Sequence, residues 1–229
     1  MLDRFDPKLD PTFGPVNREA LIRRLSAILP SDRLITSVES MRPYESDGLA
    51  AYRSLPAVVA LPADADEVAA VLKVCREFGT PVVARGAGTG LSGGALPFPG
   101  SVLLALGKLS RILAIDPDAR TARVQPGVRN LAISEAAKPF GLFYAPDPSS
   151  QLACSIGGNV AENAGGVHCL KYGLTVHNIL RLEAVTIEGE RLVIGSEALL
   201  EIPRSVQRPG QNIVRVNIAS KIELGFREL

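Results

Sequence analysis

Cysteine is scarce: the 229-residue sequence has three, Cys75, Cys154 and Cys169. The number is odd and no two stand at C-x-x-C spacing, which argues against a disulfide framework and a zinc cage and fits a reducing cytoplasm. An excess of one charge sign is missing too. With 25 basic against 24 acidic side chains there is no field to gather nucleic acid, and no nucleic-acid partner is expected. Long hydrophobic runs are also lacking. The longest apolar stretches, such as Val102 to Leu106, are strand-length, far short of the roughly 20 residues of a spanning helix. Met1 to Asp10 carries Asp3, Arg4, Asp6 and Lys8 without an apolar core, so no signal peptide is expected there. What remains is an ordinary globular composition, 46% apolar and 21% charged, long enough for one large domain or two small lobes.

Leu21 to Leu29 has helical spacing after Asn17, an N-cap residue type, and stops at Pro30. Arg42 to Arg53 lacks periodicity and is expected to be a loop with short helical turns. Ala57 to Leu61, between Pro56 and Pro62, suits a buried strand. A helix follows: Asp64 and Glu67 have capping-box spacing, and Val68, Val71, Leu72, Cys75 and Phe78 share one face before Gly79. Pro81 to Ala84 is a second buried strand, and strands joined through a helix in this way are normally parallel. Val102 to Leu106 is a third. Ile112 to Ile115 and Thr121 to Val124 flank the turn Asp116-Pro117-Asp118 as a hairpin. A helix is expected from Leu131 to Phe140, closed by Gly141, then an irregular glycine-rich region from Ser155 to Gly173, then a strand from Asn178 to Glu188.

The densest signal is Arg85-Gly-Ala-Gly-Thr-Gly-Leu-Ser-Gly-Gly94, with five glycines in the nine positions after the arginine. Glycines admit positive φ and close backbone approach, and successive N–H groups in such a turn form an anion nest suited to a pyrophosphate. Gly88 to Gly93 also matches the dinucleotide fingerprint G-x-G-x-x-G. That fingerprint requires a following helix, however, and Pro97, Pro99 and Gly100 exclude one. An irregular phosphate loop therefore fits better than a Rossmann unit. A flexible glycine-rich surface loop also fits this run taken alone.

A second cluster, Cys154-Ser-Ile-Gly-Gly-Asn-Val-Ala-Glu-Asn-Ala-Gly-Gly166 with Lys171-Tyr-Gly173, changes the balance. Two loops of small residues with amide donors and acceptors suit a large flat ligand carrying a diphosphate.

Together with Ala122 to Asn130 (ARVQPGVRN), Tyr144 to Ser150 (YAPDPSS), Cys154 to Asn178 and, less densely, Tyr44 to Arg53, these runs resemble the FAD-binding PCMH-type, or vanillyl-alcohol-oxidase, family. Within it they are most similar to the glycolate-oxidase D subunits, over about residues 20 to 197. The resemblance implies an α+β, two-lobed FAD-binding PCMH-type fold: a small βαβ lobe and a second mixed or antiparallel sheet lobe. The implied division is an N-terminal helical lead-in at 1–52, the FAD-binding domain at 53–197 and an atypical tail at 198–229.

It also implies flavin contacts. The pyrophosphate is expected on Arg85, Gly86, Ala87, Gly88, Thr89, Gly90 and Leu91, the rest of FAD at Asp147, Ser149, Gly157, Gly158, Asn159, Ala161, Asn163, Gly165, Gly166, Tyr172 and Gly173. Thr89 stands where covalently tethering relatives carry a histidine, so non-covalent FAD is expected. The implied reaction oxidises a small 2-hydroxy acid, glycolate or similar, by hydride transfer to FAD in the full-length protein. Other glycolate-oxidase subunits, an iron-sulfur subunit among them, are the implied partners. The implied location is the cytoplasm, peripheral to the inner membrane through those partners.

Family members are much longer, and their second half supplies the substrate-binding residues and the metal ligands. No catalytic or metal-ligating residue is therefore expected in this chain, which alone should be inactive or poorly folded. A non-catalytic remnant that binds FAD, or nothing, is the other reading, and an NAD-dependent Rossmann enzyme a weaker one. From Leu200 the likeness stops, as in a truncated or frame-shifted product; a divergent tail is the alternative, with Val214, Val216 and Ile218 alternating as a half-buried strand does.

Four smaller signals carry less weight. His168, Cys169 and His177 look like metal ligands but fall short of a zinc set. Asp147 and Glu162 look like paired carboxylates, though Asp147 equally suits a loop-fixing or flavin contact. Arg85 suits a phosphate or a structural salt bridge. Cys75 belongs in the core.

Overall fold

Asn17 starts the first helix, α1 (Arg18–Ser26): its side chain accepts the Ala20 N–H at 3.1 Å, and Leu21 and Leu25 one turn apart are wholly buried. The helix begins three residues before the expected Leu21. It belongs to a computed structural model of the chain that describes residues 16–195 and 218–228. The expectations for Met1 to Asp10 and for residues 198–217, Val214 and Val216 included, lie outside the described residues.

Two units share the chain: one runs through Lys108 and takes in Ile187–Glu190, and the other comprises Leu109–Thr186 and continues from Arg191. The first contains β1 (Leu34–Ile35), α2 (Val38–Met41), β2 (Val58–Ala60), α3 (Ala65–Glu77), β3 (Val82–Arg85) and β4 (Val102–Ala105). Its sheet has the order β1-β2-β4-β3, with β2 and β3 parallel to β4 and β1 antiparallel to β2. The strands flanking α3 do run the same way, but β4 lies between them. Val58, Val59, Leu103 and Leu104, on the two inner strands β2 and β4, are wholly buried.

In α3 the apolar stripe faces inward as its spacing predicts, with Val68, Val71, Leu72 and Cys75 at 0% exposure. The capping box is half made. Asp64 accepts the Glu67 N–H at 2.9 Å, while the Glu67 carboxylate turns to Arg33 and to the Ala63 N–H at 2.7 Å instead of the Asp64 N–H.

The lead-in segment packs into this unit. Arg18 donates through Nε to the Ala57 carbonyl at 2.8 Å and through Nη2 to the Thr36 carbonyl at 2.5 Å, and Leu61 N–H meets the Arg33 carbonyl at 2.9 Å.

The second unit contains β5 (Ile112–Asp116), β6 (Thr121–Val124), α4 (Asn130–Ala137), β7 (Leu142–Phe143), α5 (Ile156–Glu162), α6 (Cys169–Tyr172), β8 (Ile179–Val185), β9 (Arg191–Gly195), β10 (Ile218–Gly225) and β11 (Arg227–Glu228). β5 and β6 form the expected hairpin; Asp116 accepts the Ala119 N–H at 2.9 Å and Arg120 takes the positive φ of the turn, +53°. The five-stranded sheet has the order β5-β6-β10-β8-β9, all antiparallel, and β7 pairs with β11. Ala122, Val124, Ile133, Ile156, Ile222 and Leu224 form one buried cluster. Part of the segment expected to be a tail is thus a central strand of this sheet.

The region expected to be irregular from Ser155 contains a helix, α5. Each glycine in a helix costs about 1 kcal/mol relative to alanine, and docking overrides that cost here. The Gly157 N–H donates to the Pro126 carbonyl at 2.8 Å, and a methyl on Gly157 would lie 2.7 Å from Pro126 Cβ. The helix ends at Asn163, in the left-handed region at φ +50°.

Candidate functional site

In the first unit the site begins where β3 ends. Arg85 closes the strand, and from Gly86 the chain is irregular through Gly100. The next described helix is α4, in the other unit, so the helix a Rossmann phosphate site requires does not follow.

Arg85 turns back under its own loop. It is 9% exposed, donates through Nη1 to the Ser46 carbonyl at 2.7 Å and stands 5.7 Å from the Tyr44 ring centroid. Gly88, at φ +71°, lies so close that any Cβ there would overlap the Arg85 guanidinium. Burial lowers the Arg85 pKa from its ordinary value, opposed by Asp47 and Tyr44.

Asp47 is buried as well. Its Oδ1 accepts the Leu49 N–H at 2.9 Å, while Oδ2 is enclosed without a hydrogen-bond partner. Gly90 needs neither a positive φ nor room inside the protein, since a Cβ there would meet nothing within 4 Å. Its missing side chain makes sense if a ligand lies against the loop.

The second unit gathers the other expected residues around α5 and the segment after it. Ser155 and Asn159 are each 4% exposed, and Ser155 Oγ and Asn159 Nδ2 lack hydrogen-bond partners. Such buried groups are costly unless something completes them. Gly157, Gly158, Asn159 and Ala161 sit on α5 itself. Asn163, which caps it, accepts the Val176 N–H at 3.1 Å.

Asp147 is held by His168: Oδ1 accepts the His168 main-chain N–H at 3.2 Å and Oδ2 lies 2.6 Å from Nδ1. A Cβ on Gly166 would overlap the Asp147 carbonyl and carboxylate. Asp147 therefore fixes a loop, and both its oxygens are turned to His168. Ser149 is exposed, and Tyr172 meets Phe143 edge-to-face at 5.8 Å with Lys171 Nζ 4.8 Å from its ring centroid. Gly173 has φ +80°, and the neighbouring His177 accepts the Leu174 N–H at 3.0 Å. Among the described residues no group of three or more His, Cys, Asp and Glu could hold a metal ion.

The structure thus assembles the expected residues in two groups: Arg85 to Leu91 with the Tyr44–Gly48 turn in one unit, and Asp147 to Gly173 in the other. Spacing did not disclose the part played by Tyr44, Ser46 and Asp47, nor the pairing of Asp147 with His168.

In the first unit an open Gly90 in a phosphate-suited turn fits a diphosphate, and in the second the orphaned buried donors at Ser155 and Asn159 fit a bound ligand's polar groups. Comparisons with known proteins agree. The chain is 56% identical over 195 residues to glycolate oxidase subunit GlcD of Escherichia coli K12, covering 85% of this chain and 39% of that protein. It is 34% identical over 207 residues to D-lactate dehydrogenase of Anaerostipes hadrus, covering 90% and 42%. The chain therefore spans about two fifths of the length of the curated relatives it matches. The crystal structure of p-cresol methylhydroxylase with substrate bound shares the fold, at TM-score 0.76 and 19% identity over 92% of this chain and 43% of that one. Residues 56–195 match the FAD binding domain family, and with both glycine-rich regions inside that span the chain belongs to this family of FAD-binding proteins.

Proposed function

We propose that this chain is the FAD-binding part of a flavin-dependent oxidoreductase that oxidises a small 2-hydroxy acid, glycolate or a close relative. The observation that carries the reading is the 56% identity to a glycolate oxidase subunit, which spans both glycine-rich loops. Bound FAD would supply the two-electron chemistry. Backbone N–H groups of Gly86 to Leu91 would hold its pyrophosphate. Ser149, Gly157, Gly158, Asn159, Ala161, Asn163, Gly165, Gly166, Tyr172 and Gly173 would line the rest, with Ser155 and Asn159 supplying the donors now unsatisfied. Asp147 would act through His168, by holding the loop.

Turnover and its partners, including an iron-sulfur subunit, are proposed for a longer or multi-subunit assembly, since the relatives are longer and one is itself a subunit. No described helix is long and apolar enough to cross a membrane; contact with the inner membrane through such partners is part of the same proposal.

The visible spectrum of the purified protein tests the reading. A flavin spectrum, with a higher Tm on adding FAD, supports it; a colourless protein whose Tm ignores FAD refutes it. Glycolate-dependent dye reduction is expected only in a longer chain or complex that supplies the substrate-binding part.

A further inference from the structure

We infer that Arg85 is a positioning residue: with the Tyr44–Gly48 turn it braces the phosphate loop from inside, leaving the pyrophosphate to neutral backbone N–H groups. The inference rests on the FAD reading above.

An arginine at the mouth of a phosphate loop is ordinarily read as the phosphate's counter-ion. Here one of its donors is used inside the protein and the space around the guanidinium is crowded. Nη1 donates to the Ser46 carbonyl at 2.7 Å, Tyr44 lies 5.7 Å from the guanidinium carbon, and the Cα of Gly88 presses on the guanidinium so closely that no side chain fits. The buried carboxylate of Asp47 lies close enough to interact with the Arg85 charge and oppose the effect of burial. Part of the cost of burying the cation is thus offset inside its own unit, though burial still dominates.

The turn on the other side sets the direction of the peptides. A methyl on Gly48 would stand 2.8 Å from the carbonyl oxygens of both Thr89 and Gly90, so these carbonyls aim at Gly48. No peptide bond described is cis. In a planar trans peptide the N–H points opposite to the C=O. The N–H groups of Gly90 and Leu91 therefore point away from Gly48. A Cβ on Gly90 would meet nothing within 4 Å, so the loop is open at that residue. Two N–H donors aimed outward on a fixed backbone make an anion nest without a side-chain charge. Gly48 admits the carbonyls, Gly88 admits the guanidinium, and Arg85 ties the loop to Ser46.

Flavin-fluorescence titrations of the purified chain with FAD and with riboflavin, which lacks the pyrophosphate, test this. Arg85→Lys keeps the charge but lacks the planar fork, so FAD affinity should fall about tenfold or more while riboflavin affinity changes much less. Gly48→Ala should do the same by turning the two peptides. FAD affinity of the unaltered chain should change little between about 50 and 500 mM NaCl, because no exposed ion pair to phosphate is screened. Undiminished FAD affinity in Arg85→Lys, equal losses for FAD and riboflavin, or a steep salt dependence in the unaltered chain would each overturn the role of Arg85. Should Arg85→Lys fail to fold, the salt titration decides alone. Failure of the unaltered chain to bind FAD at all overturns the functional reading itself.

Discussion

Asp147 holds His168 at two points, by the main-chain N–H at 3.2 Å and by ring Nδ1 at 2.6 Å, across 21 residues of sequence. The clasp ties the Asp147 turn to the glycine-rich segment that ends at Gly173. His168 is largely exposed, so water can replace part of what is lost when the clasp opens. Asp147→Ala should lower stability by about 1 kcal/mol and weaken FAD binding more than that figure alone suggests, because the loop loses its fixed position. Gly166→Ala should cost more, since its methyl would overlap Asp147. Urea unfolding with an unchanged m-value, alongside FAD titration, checks both.

Stability should fall in acid through Glu67. The Arg33 guanidinium donates to its carboxylate and holds the Glu67 pKa below its ordinary 4.5, with the Ala63 N–H assisting and burial opposing. A depressed folded-state pKa means that the contribution is complete above the unfolded value and is lost as pH falls through the folded value. Glu67→Gln should remove this part of the acid limb. Urea midpoints measured from neutral pH down to about pH 3, in both proteins, would show two parallel curves if Glu67 had no part.

Much of the fold was legible where a single period governs a segment. The α3 stripe and the β5–β6 hairpin carry their pattern locally, and Asp64 and Asn17 cap as residues of their type do. The α5 helix was not legible, because Gly157 and Gly158 favour an irregular chain until Pro126 is packed beside them. Nor was the place of β10: its neighbours β6 and β8 are distant in sequence, and strand order is a tertiary fact. Of the site, glycine density revealed the two loops. The brace was hidden, since Arg85 at a phosphate loop reads as a ligand until Ser46, Tyr44 and Gly88 are seen around it.

Thiol reactivity should separate the three cysteines. Cys75 is wholly buried on α3, and burial pushes its pKa up to about 12; Cys154 is buried as well, whereas Cys169 is partly exposed. Thiolate is the reacting species. Titration with Ellman's reagent at neutral pH should modify Cys169 first, with Cys75 and Cys154 reacting only on unfolding. Prompt reaction of all three would mean that α3 is not packed as described.

Flavin should be dissociable. Thr89 has no nucleophilic nitrogen for a flavin link, so trichloroacetic acid should leave the yellow colour in the supernatant and the pellet colourless. Flavin retained in the pellet would contradict this.

Ile222 on β10 is opposite Val124 on one side and Leu182 on the other, and is fully buried. Ile222→Ala should destabilise the second unit by about 2–5 kcal/mol, read from its urea midpoint. A loss as small as that of a surface change would place β10 outside the sheet.

The position of β10 also bears on how the protein is made. Both of its partners, β6 and β8, leave the ribosome before it does, so the sheet is synthesised with its middle missing and two pairing edges open. Exposed edges of this kind recruit other chains, and pairings distant in sequence form slowly. The nascent second unit is therefore most vulnerable to aggregation in the interval before β10 emerges, and a chaperone that shields strand edges would have its greatest effect there.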